Sequence, residues 1–118
     1  MSPRRLTFAA LALAIGLSPV QVLAQDSPLS AGVLLNQCTD AALGAREACA
    51  AFILQSVERN RSAPDPAYCL PPSAILGDLR ARFIAWGGSE PARLDLTADQ
   101  GLAAALAEAF PCPLTQSG

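Results

Sequence analysis

The sequence contains neither histidine nor lysine, and these two absences exclude several classes of enzyme. Without histidine, the chain cannot form a Ser-His-Asp or Cys-His catalytic arrangement, a histidine metal site or the usual general base of neutral pH. Without lysine, it cannot form a Schiff base or the phosphate-binding lysine of a P-loop. The sequence therefore predicts a protein that is not an enzyme.

Positive charge and aromatic side chains are also scarce. The 8 basic residues, all arginines, are outnumbered by 10 acidic residues, and Phe, Trp and Tyr together make up only 5% of the chain. The formal net charge of −2 argues against a nucleic-acid partner, because such proteins carry clustered basic charge. A length of 118 residues allows one domain. We expect no cofactor and no metal.

The first 24 residues have the pattern of a secretory signal peptide. Arg4 and Arg5 precede an apolar run over residues 6–17, and the small residue Ala24 precedes the expected cleavage site. The run is shorter than the ~20 apolar residues that span a bilayer. We therefore predict cleavage after Ala24, which leaves an exported domain of residues 25–118 with no membrane attachment.

All four cysteines lie in the exported part, at Cys38, Cys49, Cys69 and Cys112. They lack the paired short spacing, such as C-x-x-C, that zinc sites use. Because export leads to an oxidising compartment, two disulfides are expected, and four cysteines allow three pairings. We favour Cys38–Cys49, between consecutive helices, together with Cys69–Cys112, which would join the outer ends of an antiparallel helix pair.

Apolar residues recur at helical spacing in four segments. The first runs from Ala31 to between residues 39 and 44, where Gly44 is the expected stop, and the second covers residues 45–61. The third begins at Pro72 or Ser73 and ends at Gly87-Gly88, and the fourth follows a capping box at residues 97–100. The sequence predicts an all-α fold, a small bundle of about four helices held by two disulfides.

The end of the third helix is the candidate partner-binding site. A tryptophan beside a Gly-Gly turn and an exposed polar loop could anchor a partner surface. The candidate residues are Trp86, Gly87, Gly88, Ser89, Glu90 and Arg93. A second interpretation stays open, because Trp86 also falls at the spacing that would complete the core-facing stripe of this helix.

Asp95 and Asp99 are the only pair that invites a catalytic interpretation. Two carboxylates are the groups that glycoside hydrolysis requires. The alternative is that Asp99 lies in the first turn of the fourth helix and interacts favourably with the helix dipole. We favour the alternative, because no cluster of aromatic residues accompanies the two acids.

Three short motifs, in this order, resemble the Rap/Tai immunity family. They are Cys49-Ala50-Ala51-Phe52-Ile53, Tyr68-Cys69-Leu70-Pro71 and Ala109-Phe110-Pro111-Cys112. The resemblance covers nearly all of the exported chain. The chain departs from the family pattern in three places: the family usually has Gly-Tyr at Ala51-Phe52 and Gly at Gln55, and it often has His-Pro within the segment 87–91.

The resemblance implies a periplasmic, all-α protein of a Gram-negative bacterium. Better-known members protect cells against peptidoglycan amidase effectors of type VI secretion by inserting a loop into the effector's active-site groove. The matching segment here is residues 86–93. Family members can dimerise, so a homodimer is compatible with the resemblance. The alternative hypothesis is a periplasmic structural or stress-related interaction protein with no toxin partner.

Overall fold

The computed structural model describes residues 28–114, which form four α-helices and one 3₁₀ helix. Their bounds are α1 (Ala31–Thr39), α2 (Leu43–Ser62), α3 (Leu76–Ser89), the 3₁₀ helix (Pro91–Asp95) and α4 (Ala98–Ala109). Within this part of the chain there is no β-strand, so the predicted all-α fold is confirmed. The predicted signal peptide, residues 1–24, lies outside the described residues.

Helix α1 occupies the centre of the bundle and packs against α2, α3, α4 and the 3₁₀ helix. Its residues Ala31, Leu34 and Cys38 are buried at helical spacing. The other helices present matching stripes, in which Ile53 of α2, Phe83 of α3 and Leu106 of α4 are completely buried. Full burial of one such side chain contributes about 1.5–3 kcal/mol, so these stripes hold the helices together.

Two helix N-termini are capped by side chains. Ser30 Oγ accepts a hydrogen bond of 3.1 Å from the Val33 amide at the start of α1. At α4, Thr97 and Gln100 form the predicted capping box, in which each side chain accepts from the other residue's amide at 3.1 Å. A cap of this kind contributes about 1 kcal/mol, which explains why both helices start where the sequence predicts.

The chain also joins the N-termini of α1 and α4 directly through the backbone. The Ala31 amide donates to the Leu96 carbonyl at 2.8 Å, and the Ala98 amide donates to the Leu29 carbonyl at 2.7 Å. These two bonds satisfy amides that a helix start leaves without an intrahelical partner. They hold the segment before α4 against the first residues of α1.

The end of α1 at Thr39 lies within the predicted range of 39–44, but neither of the predicted glycine stops ends its helix. Gly44 lies in the first turn of α2 and does not end α1, while Gly87 and Gly88 lie inside α3, which continues to Ser89. Gly87 is buried because the side chains of Leu35 and Leu94 pack against its backbone. The third helix also starts later than predicted, at Leu76, because a turn occupies residues 72–73.

The disulfides are Cys38–Cys49 and Cys69–Cys112, as predicted. The first joins the last turn of α1 to the second turn of α2. The second joins the loop after α2 to the residues that follow α4, where the Cys69 amide also donates to the Phe110 carbonyl at 2.9 Å. The disulfides thus link α1 to α2, and they link the loop after α2 to the segment after α4.

No helix in residues 28–114 has the length and hydrophobicity needed to cross a membrane.

Candidate partner-binding surface

The predicted partner-binding residues lie together where α3 meets the 3₁₀ helix, but they divide into buried and exposed groups. Trp86 is only 8% exposed and Gly87 is buried, whereas Gly88, Ser89 and Glu90 are exposed. The Trp86 ring stacks near Phe83, with 6.2 Å between ring centres. The interpretation of Trp86 as part of the core stripe is therefore the one that its burial supports. The expected exposed loop is replaced by helical structure, because Pro91 opens a 3₁₀ helix directly after α3.

Arg93 organises the surface around Trp86. Its guanidinium carbon lies 4.8 Å from the centre of the Trp86 ring. One guanidinium nitrogen, Nη1, donates to the Trp86 carbonyl at 2.9 Å and to Ser89 Oγ at 2.8 Å. The Ser89 hydroxyl donates to the same carbonyl at 2.9 Å. Arg93 therefore satisfies a backbone acceptor in the last turn of α3 and fixes the segment that follows it.

Two exposed carboxylates lie beside Arg93. Glu90 approaches its Nε at 3.7 Å and Glu108, on α4, approaches its Nη2 at 3.8 Å. Both distances exceed ordinary hydrogen-bond lengths, and exposed pairs of this kind contribute only about 0–1 kcal/mol. The carboxylates thus shape the charge of the surface more than they stabilise the fold.

A groove runs between α3 and α4 next to Arg93. Its volume is about 380 Å³. The lining consists of small side chains with charged residues at the edge: Ala81, Arg82, Ala85, Trp86, Ser89, Arg93, Ala105, Glu108 and Ala109. We call this feature the α3–α4 groove. The groove was not predicted from the sequence, although alanine repeats at a spacing of four in both helices.

A second and larger groove, of about 520 Å³, lies beside α2 and was not predicted. Its walls are mainly apolar and include Leu54, which is 53% exposed, with Leu70 and Leu79. Asn60 holds its loop in place, since the Asn60 amide group donates to the Tyr68 carbonyl and its oxygen accepts from the Ala67 amide, both at 2.8 Å.

Asp95 and Asp99 do not form a catalytic pair in a cleft. Asp99 lies in the first turn of α4, as the dipole interpretation expects, and its Oδ1 is 2.6 Å from Arg59 Nη2. Ser56 Oγ also donates to Asp99 Oδ1 at 3.3 Å. Asp95 ends the 3₁₀ helix, and neither acid lines either groove. In residues 28–114, no group of three or more Cys, Asp or Glu side chains is placed to hold a metal ion.

The environment of Tyr68 shifts the ionisation of its side chain. Its side chain is 3% exposed, and burial raises the pKa of its phenol above the ordinary value of 10.0. The nearby charge of Arg59 lowers this pKa and that of Asp99 raises it, but the burial effect is larger than either. A neutral phenol beneath α2 at physiological pH is a structural group, not a general base.

The family model of the Rap1a immunity proteins matches residues 30–112. The matched range begins at the residue that caps α1 and ends at the second cysteine of Cys69–Cys112, so it includes all four helices and both disulfides. A search of the curated proteins found no match.

Proposed function

The chain belongs to the Rap1a immunity protein family, and from this membership we propose that it binds and neutralises a secreted effector. We propose further that the effector is a peptidoglycan amidase delivered by type VI secretion and that the protein inhibits it by covering its active site. The observation that carries the proposal is the family match, which extends over the complete helical domain.

The exposed residues at the end of α3 are the best candidates for contact with the amidase. Gly88, Ser89 and Glu90 project from the domain, while Trp86 lies beneath them in the core. The hydrogen bonds from Arg93 hold this segment in one conformation before any partner binds. Binding then costs less conformational entropy than it would for a flexible loop, which favours tight occlusion.

The chemistry of the chain supports binding over catalysis. The sequence offers no histidine or lysine. All four cysteines form disulfides, so none supplies a thiolate nucleophile. The same disulfides support a periplasmic location, because they form and persist in oxidising compartments. An inhibitor that acts on a cell-wall enzyme would need to be present in that compartment.

The test is an inhibition assay with each secreted amidase encoded beside the gene for this chain. The protein is purified from the periplasm of an expression host, and release of cleaved peptide from peptidoglycan is measured. We expect one amidase to lose its activity at an equimolar concentration of the protein. If every such amidase keeps full activity in a large excess of protein, amidase inhibition is wrong and the structural or stress-related alternative is favoured.

A matched pair of charge reversals tests the contact surface. Glu90 is exposed at the end of α3, and Glu47 is exposed on α2, outside both grooves. We expect E90R to weaken inhibition about tenfold, because reversing a charge inside the interface removes its electrostatic complementarity with the amidase. We expect E47R to leave inhibition unchanged. Equal inhibition constants for the two variants would place the contact surface elsewhere.

A further inference from the structure

Four of the residues that line the α3–α4 groove are alanines, and we call them its floor. Ala81 and Ala85 are four residues apart on α3, and Ala105 and Ala109 are four residues apart on α4. Residues at this spacing share one helix face, so each pair lies along its side of the groove. The groove is open to solvent and has a volume of about 380 Å³. The floor can therefore accept one bulky apolar side chain.

Arg82 supplies an unpaired positive charge at the edge of this groove. Its guanidinium carbon lies 5.5 Å from the centre of the Phe110 ring, which limits where the exposed side chain can move. Among residues 28–114, no carboxylate lies within ion-pair distance of Arg82. A guanidinium is suited to two parallel hydrogen bonds with a carboxylate. The edge thus offers a preformed position for an acidic group.

Arg93 adds a second guanidinium to the lining. Its contacts with Glu90 and Glu108, at 3.7 and 3.8 Å, are longer than hydrogen bonds. A carboxylate from another protein could approach the same guanidinium without breaking a strong ion pair. The lining of the α3–α4 groove therefore combines the alanine floor with two arginines and one glutamate, Glu108, and this net charge of +1 favours an acidic occupant over a basic one.

We propose that the α3–α4 groove binds an acidic, apolar segment of a partner protein. A bulky apolar side chain of the partner lies on the alanine floor, and a neighbouring carboxylate bonds to Arg82. The proposal rests on the proposed function only in taking the partner to be the effector. It extends the contact surface from the exposed residues 88–90 into the groove beside them.

A peptide titration followed by NMR tests the groove without any amidase. The probe is acetyl-Glu-Phe-Glu-amide, added to the isotope-labelled protein purified from the periplasm. We expect saturable shifts of the amide signals of Ala85 and Glu108 and of the Trp86 indole N–H. We expect no such shifts with acetyl-Lys-Phe-Lys-amide, which reverses the charge, or with acetyl-Glu-Ser-Glu-amide, which lacks the apolar side chain.

Two pairs of variants separate groove binding from effects on folding. Ala85→Leu fills the floor, and its control Ala48→Leu makes the same change at an exposed position of α2. Arg82→Gln removes the unpaired charge, and its control Arg46→Gln removes another exposed arginine. We expect A85L and R82Q to weaken the peptide about fivefold or more, since a charge-assisted bond or the floor is lost. The controls should bind as the wild type does.

Several results would overturn the proposal. It is wrong if the acidic peptide causes no saturable shifts, if the lysine peptide causes the same shifts, or if the signals of the α2 groove, such as Leu70, move instead. It is also wrong if sedimentation shows a dimer that A85L dissociates, because a second copy of the chain would then occupy the groove. Failure of the amidase assay leaves all of these outcomes unaffected, so the two proposals can fail separately.

Discussion

Gly101 lies within α4, where a side chain would collide with its neighbours. A Cβ atom at this position would be 2.9 Å from Ala31 Cβ and 3.3 Å from Trp86 Cζ3. Real Cβ atoms almost never approach another atom at 2.9 Å, and Ala31 Cβ is attached directly to the backbone of α1. The glycine therefore allows α1 and α4 to pack closely, although glycine weakens a helix by about 1 kcal/mol relative to alanine.

We expect Gly101→Ala to destabilise the protein in spite of its better helix propensity. Overpacking of a closely packed contact costs about 1–3 kcal/mol, which exceeds the propensity gain of about 1 kcal/mol. The control is Gly77→Ala in α3, where nothing lies within 4 Å of the added methyl group, and here stability should stay the same or rise. Urea unfolding followed by circular dichroism measures both free energies of unfolding. Equal effects of the two substitutions would contradict the close packing at Gly101.

The burial of Tyr68 can be tested by its ionisation. Tyr68 is the only tyrosine in the sequence, so the tyrosinate signal of the protein comes from this residue alone. We expect its phenol to ionise with a midpoint above 10.0 in the folded protein, owing to burial, and near 10.0 in denaturant. The near-ultraviolet absorbance of tyrosinate reports this midpoint directly. Identical midpoints in the folded and the denatured protein would show that the side chain is not buried.

The raised pKa of Tyr68 has a consequence for stability at alkaline pH. Below pH 10.0 the phenol is neutral in both states and its ionisation does not affect the free energy of unfolding. As the pH rises through 10.0 the unfolded chain loses the proton first, so stability decreases until the folded protein also ionises. We expect Tyr68→Phe to reduce this alkaline loss, which thermal unfolding at increasing pH measures.

Helix α3 illustrates how packing decides the length of an element. Two consecutive glycines disfavour a helix by about 1 kcal/mol each relative to alanine, which is why the sequence predicts an end at Gly87. The structure continues the helix because Leu35 and Leu94 pack against Gly87 and Arg93 caps the last turn. Leu35 belongs to α1 and Leu94 to the 3₁₀ helix, so the helix propensities of the residues around Gly87 do not reflect either contact. Residues 87–89 are therefore helical and do not form a loop.

The two disulfides join elements over very different lengths of chain, and this difference predicts unequal effects on stability. Cys38–Cys49 spans 11 residues and Cys69–Cys112 spans 43. The chain-entropy relation gives stabilisations of about 3 and about 4 kcal/mol, respectively, because a longer closed loop restricts the unfolded chain more. We expect the double variant C69S/C112S to be less stable than C38S/C49S when both are unfolded in urea. The opposite order would mean that native-state packing of Cys38 and Cys49, both buried, outweighs loop entropy.

At the scale of the whole molecule, the sequence predicted the architecture but not the α3–α4 groove. The number of helices, the disulfide pairing and the capping box were all confirmed. The helices and the capping box depend on local spacing, whereas the disulfide pairing followed from the expected packing of the third and fourth helices as an antiparallel pair. The α3–α4 groove was missed because it depends on which faces of two helices meet. Residues such as Arg82 and Glu108 acquire a common role only when α3 and α4 are packed side by side.

The sequence by itself determined a small all-α domain with two disulfides, because helical periodicity and cysteine positions are properties of the chain alone. Its lack of histidine and lysine also restricted the chemistry before any fold was known. Only the tertiary structure decided that Trp86 is buried while Glu90 is exposed, and that the glycines of α3 remain helical. Burial and groove formation depend on contacts between residues distant in sequence, such as Leu35 with Gly87, and such contacts exist only after the helices have packed.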